Sequence, residues 1–257
     1  MTNWFDFVLV GLAALAAGAV NALAGGGTLI TFPTLTAVGI PAIAANITNT
    51  VALCPGYLGA TFAQSGDLQG QKSRLWLLLP AGAIGGIIGG ILLLNTGERV
   101  FRALVPFLIL LASGLLAVQD PGRTWLARHS KHSTPRKASE NWAAFPVGLA
   151  AVYGGYFGAG IGIMMLAMLG LLGGRDIHRM NGVKVVLGAV INAVASLVFL
   201  GANAVDLPAA GVMALGAIVG GLGGAGLARR ADPRKVRWLI VAIGVSLTLG
   251  LAWKRWS

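Results

Sequence analysis

Two clusters in this 257-residue chain have residue types and spacing suited to chemistry. The first is Gly25-Gly26-Gly27-Thr28, followed by Asn46 and Asn49. The second is Gly160 and Gly162, followed by Asn181 and Lys184. Glycine permits backbone geometry closed to other residues and leaves peptide N–H groups uncovered. A helix that begins at such a run presents its positive dipole end and its unpaired N–H groups. Together these favour an anion. Asn46 and Asn49 lie one turn apart on one helical face, as do Asn181 and Lys184. Amides in hydrocarbon need partners, so the asparagines either touch a substrate, cap a helix or join helices. Lys184 is a cation in an otherwise apolar helix. Such a residue marks a pathway or counter-ion, or it snorkels to a nearby surface. Asn21, Asn192 and Gln64 are lesser candidates.

Other chemistry is missing its parts. No Asp or Glu sits firmly inside an apolar segment, so no carboxylate proton relay is visible. An enzyme needs a nucleophile, an acid–base pair or a metal set, and none assembles here. His129 and His132 have metal-like spacing but lie in a polar stretch without further ligands. His178 sits in a basic loop. Neither a cofactor nor a metal is expected.

The elements that must position these clusters are apolar. Of the residues, 56% are hydrophobic and 11% charged, against about 25% charged in an average soluble domain. Mean hydropathy is +0.79. Apolar segments run at about 5–23, 28–38, 43–63, 75–95, 100–118, 143–157, 161–173, 181–200, 208–228 and 236–253. Several reach the ~20 residues that cross a bilayer core. Segments 28–38 and 161–173 are too short, and each follows one of the glycine clusters. Irregular backbone at membrane depth is tolerated only inside protein or along a cavity. Gly85, Gly86, Gly89, Gly220, Gly221 and Gly224, by contrast, lie in full-length segments at spacings that let helices pack closely. Cys54 is the sole cysteine and forms no internal disulfide. The first basic residue is Lys72, so the basic start of a signal peptide is missing.

A polar linker at 119–141, with five Lys or Arg, divides the chain into a first membrane repeat, 1–118, and a second, 142–257. A shift of 135 residues without gaps aligns Gly25 with Gly160, Gly27 with Gly162 and Asn46 with Asn181. It also aligns Gly85-Gly86 with Gly220-Gly221, Arg99 with Arg234 and Arg102 with Arg237. Such self-similarity points to duplication. Net charge is +11, and the basic residues fall in short loops, which reads as membrane orientation rather than nucleic-acid binding. With the linker in the cytoplasm and 5–38 and 143–173 as returning hairpins, fifteen Lys or Arg lie inside and four outside. The loop at 95–99 is then outside and its mate at 229–235 inside, so the halves are inverted. The expected fold is an all-α polytopic membrane protein of two inverted-topology repeats. Each repeat holds a glycine-broken re-entrant or V-shaped helical hairpin and three full spans, a common transporter plan with the substrate near the midplane.

The segments NALAGGGTLITFPTLTAVGIPAIAANITNTVAL and GAGIGIMMLAMLGLLGGRDIHRMNGVKV resemble the TauE/SafE sulfite exporter family, also called the toluene sulfonate uptake permease family. Nearly the whole chain shares the resemblance. Residues 25–28 and 46–49 match the family pattern, while Lys184 comes from the residues alone. The resemblance implies a bacterial inner-membrane permease for sulfite, thiosulfate or an organosulfonate. Partners would be that anion, the lipid bilayer and, as an open option, a second copy in a homodimer. Alternating access by a secondary transporter is the leading expectation. An anion channel and a cation-coupled permease for another small organic anion are the alternatives.

Overall fold

Apolar runs interrupted at glycine and proline give nine α-helices among the described residues of a computed structural model. The structure describes residues 3–23, 26–63, 68, 70–118, 140–171, 177–227 and positions 238, 241, 242 and 246. Helices α1 (Trp4–Leu23), α2 (Thr28–Ala37), α3 (Ala42–Ala63), α4 (Lys72–Leu94) and α5 (Glu98–Ala117) form the first half. Helices α6 (Glu140–Tyr156), α7 (Ile161–Leu171), α8 (Ile177–Gly201) and α9 (Leu207–Leu227) belong to the second. Gly25, Gln64, most of the linker and most of the expected last span, 236–253, lie outside the described residues.

Helices α1, α4, α5 and α8 are long and apolar enough to cross a membrane. Helix α3 is also long, at 22 residues, but Asn46, Thr48, Asn49 and Thr50 dilute its hydropathy. At 1.5 Å per residue, α2 and α7 reach only about 15 Å, half a bilayer core. The chain is thus a multi-pass, all-helical membrane protein with two half-length helices.

Helix α4 buries Gly82, Gly85, Gly86, Gly89 and Gly90 and turns Ile84, Ile88, Ile91 and Leu92 outward. That is the reverse of a soluble helix. Lipid accepts large side chains, and the gain comes from backbones that approach closely. A Cβ placed on Gly89 would lie 2.1 Å from Val152 O, and one on Gly155 2.2 Å from Gly86 O. Helices α4 and α6 therefore touch backbone to backbone. Helices α1 and α9 do the same: a Cβ on Gly220 would lie 1.9 Å from Leu15 O, and one on Gly18 2.2 Å from Ala217 O. The packing expected of Gly85, Gly86, Gly89 and Gly220 is what these contacts provide.

The starts of α6, α7, α8 and α9 follow those of α1, α2, α3 and α4 by 136, 133, 135 and 135 residues. The broadest contacts join α1 to α9 and α4 to α6, so the first helix of each half packs on the fourth of the other. Between α1 and α9 a shallow groove of about 410 Å³ is lined by Phe7, Leu12, Leu15, Val212, Leu215 and Val219. It is apolar and offers nothing to an anion.

Candidate functional site at two helix breaks

The first break precedes α2. Gly26 has φ +95°, a left-handed conformation that disfavours other residues. Leu29 N–H donates to Gly26 O at 2.9 Å, and Ile30 and Thr31 N–H donate to Gly27 O. Gly27 is buried against α1, where a Cβ would lie 2.6 Å from Ala17 O. One donor that the sequence left open is engaged. Gly27 N–H donates to Asn21 Oδ1 at 2.8 Å, so α1 caps α2.

The second break separates α6 from α7. Gly158 has φ +78° and Gly160 φ +75°. Tyr153 Oη donates to Ala159 O at 2.7 Å and pins the loop. Ile163 N–H donates to Gly160 O at 3.0 Å as α7 begins. Gly162 lies in the first turn of α7, and a Cβ there would come within 3.7 Å of the Lys184 stem. That is ordinary van der Waals distance, so α7 packs directly on the lysine stem. Lys184 and Asn181 are half-buried near the start of α8, and each makes a polar or electrostatic contact.

Helix α5 brings the breaks together. A Cβ on Gly26 would lie 2.7 Å from Leu116 Cδ1, and one on Gly160 3.4 Å from Ala112 Cα. Ala112 and Leu116 are one turn apart, about 6 Å along the axis. Phe32 of α2 also stacks edge-on against Phe157 of the second break, with ring centroids 5.6 Å apart. Between Ala112 and Leu116 stands Ser113, 1% exposed, whose Oγ meets no partner among the described residues.

Helix α3 supplies the amides. Asn46 and Asn49 are both buried, at 0% and 1% exposure. They share a face but serve different breaks. Asn49 Oδ1 accepts from Thr31 Oγ1 at 2.5 Å, and Asn49 Nδ2 donates to Thr28 Oγ1 at 3.3 Å, which ties α3 to α2. Asn46 Nδ2 donates to Tyr156 O at 2.9 Å, at the end of α6. Its Oδ1 is buried without a partner among the described residues. Thr48 Oγ1 accepts from Asp206 N–H at 3.0 Å, a second tie from α3 to the other half. Asn192, a lesser candidate, donates to Gly188 O on its own helix at 2.8 Å.

The sequence reading did not single out Thr31, Thr48, Ser113 or the Tyr156 carbonyl. Ser113 had one visible signal, as a polar residue in an otherwise apolar span. Thr31 stands one turn beyond Thr28. The carbonyl had no signal, because every residue carries one. No group of three His, Cys, Asp or Glu able to hold a metal occurs among the described residues.

Comparison with known proteins gives the family. The family model described as Sulfite exporter TauE/SafE matches residues 10–251. A probable membrane transporter protein of Haemophilus influenzae is 27% identical over 233 residues, 89% of this chain and 88% of that one. The probable membrane transporter protein ORF9 of Sinorhizobium sp is 28% identical over 242 residues, 93% of this chain and 90% of that one. The probable membrane transporter protein YfcA of Escherichia coli is 25% identical over 242 residues, 93% and 86%. No solved structure matches significantly.

Proposed function

The chain belongs to the sulfite exporter TauE/SafE family, membrane transporters rather than enzymes, and from that premise we propose that it exports a small sulfur-containing anion by alternating access. The substrate would be sulfite, thiosulfate or an organosulfonate. The observation that carries the reading is the shared seat of the two breaks on one turn of α5, at Ala112 and Leu116. Two half-length helices that begin there direct their N-terminal dipoles to a common region.

Thr28, Gly160 and Gly162 would contribute at the helix starts, with Gly26 and Gly27 shaping the first. Gly25 belongs to the set by sequence alone. Asn46 and Asn181 would contact the anion, Asn49 would hold the α2–α3 corner, and Lys184 would supply positive charge. Residues 1–118 and 142–257 would be inverted repeats joined by a cytoplasmic linker at 119–141, in a bacterial inner membrane. The near-constant offset of the helix starts and the reciprocal α1–α9 and α4–α6 packing support duplication.

Export needs no ion partner. Each negative charge leaving an inside-negative cell gains about 2.3 kcal/mol per 100 mV. The test is flux from proteoliposomes at clamped potential, with sulfite, thiosulfate, taurine and sulfoacetate beside sulfate and acetate. Sulfur anions should move preferentially, and reversing the potential should reverse the favoured direction. Flux blind to the potential would defeat electrogenic export, and single-channel current would favour a pore.

A further inference from the structure

Two buried polar atoms beside the second break have no partner among the described residues: Asn46 Oδ1 and Ser113 Oγ. Both residues are at least nine-tenths buried. Leaving such an atom unpaired costs about 1–3 kcal/mol, so native proteins rarely do so without a use. A third such atom among the described residues, Ser196 Oγ, lies on α8, whereas these two lie on elements that touch the second break. Asn46 is anchored to Tyr156 O, where α6 gives way to the break. Ser113 follows Ala112, the residue against which Gly160 rests.

The chemistry of the two atoms differs. A hydroxyl rotates and serves as donor or acceptor. The asparagine has no such choice. Tyr156 O only accepts, so the Asn46 amide must turn its NH₂ toward it, and the atom left bare is the carbonyl oxygen. A carbonyl oxygen repels the lone pairs of a fully ionised oxyanion. It welcomes an O–H.

We propose that Asn46 Oδ1 and Ser113 Oγ bind the transported anion directly, and that Asn46 selects an oxyanion that still carries a hydroxyl proton. The proposal rests on the sulfur-anion reading and narrows it to monoprotonated forms such as hydrogen sulfite. Helix starts and Ser113 hold the charged oxygens, and Asn46 accepts from the hydroxyl. A single negative charge also lowers the desolvation cost of entering the membrane interior.

The decisive comparison sets hydrogen sulfite against methanesulfinate, an anion of equal charge and similar shape with methyl in place of hydroxyl. Both are offered to the full-length protein in proteoliposomes at one pH on the acid side of sulfite's second ionisation. A fixed pH holds the protonation of the protein's own groups constant. Methanesulfinate should compete at least about tenfold less well, because a site built for a hydroxyl rejects its absence strongly. Asn46→Leu should bring the two anions near parity. Ser113→Ala, which removes one oxygen, should raise KM for both by about fivefold and leave their ratio unchanged, so the proposal stays testable if Asn46→Leu does not fold. Parity in the unaltered protein, a preference that survives Asn46→Leu, or unchanged kinetics in Ser113→Ala would each overturn it. Wild-type protein that carries both anions equally defeats the selectivity alone. Wild-type protein that carries no sulfur anion defeats the transport reading with it.

Discussion

The two halves share a scaffold and differ at their chemical positions. In the first, Asn49 bonds to Thr28 and Thr31 beside the break, and Asn46 reaches across to Tyr156 at the other break. At the matching positions the second half has Ile163, Leu166, Asn181 and Lys184. Only the asparagine 46/181 is kept. A network of neutral hydrogen bonds has given way to apolar packing and one cation. Close packing restricts what a helix interface accepts, whereas a position facing a ligand is free to change its chemistry. The proposed division of labour follows: the first half supplies neutral polar contacts and the second supplies charge.

The shared scaffold is the hardest part to alter. Gly89→Leu and Gly220→Leu each force a side chain where a carbonyl oxygen already lies within about 2 Å of the first added carbon. Both should cost about 3 kcal/mol or more and abolish the monodisperse peak in detergent size-exclusion. If one half tolerated the change, the scaffolds would not be equivalent.

Next comes the charge. Lys184→Met should lower anion flux about tenfold, in keeping with a desolvated charge contact of about 1.4 kcal/mol or more, while thermal stability stays near the parent value. Asn49→Leu should do the opposite, lowering thermal stability by about 1–3 kcal/mol as Thr31 and Thr28 lose their partner. Equal stability losses in both variants would erase the contrast between the halves.

The second break separates backbone strain from crowding. Gly160→Ala must hold a left-handed φ of +75° against Ala112, at about 1–2 kcal/mol. Gly162→Ala has a helical backbone and only ordinary contact with the Lys184 stem, so unfolding should shift little. A reversed order would place the strain elsewhere.

The smallest effect tests an asymmetry at the helix ends. Glu98 accepts from Ala42 and Ile43 N–H at 2.7 and 3.1 Å and pairs with Arg102 at 2.9 Å. Its match in the second half is Pro233. Glu98→Gln removes the charge from the start of α3 and should cost about 0.5 kcal/mol, seen as a small drop in melting temperature.

The sequence by itself determined the membrane class, the positions of the breaks and, among the described residues, the helix boundaries to within a few residues. Those features are local: hydropathy, segment length and glycine act on neighbouring residues, and the 135-residue register needs only comparison of the chain with itself. Tertiary structure decided who faces whom. Asn46 meets Tyr156 across 110 residues, Asn21 takes the N–H of Gly27, and α5 gathers both breaks through Ala112 and Leu116. Asn46 and Asn49 share one face, yet one serves each break, because the helices around α3 place a carbonyl beside one and two hydroxyls beside the other. Spacing along a helix fixes the direction of a side chain, and only packing supplies its partner.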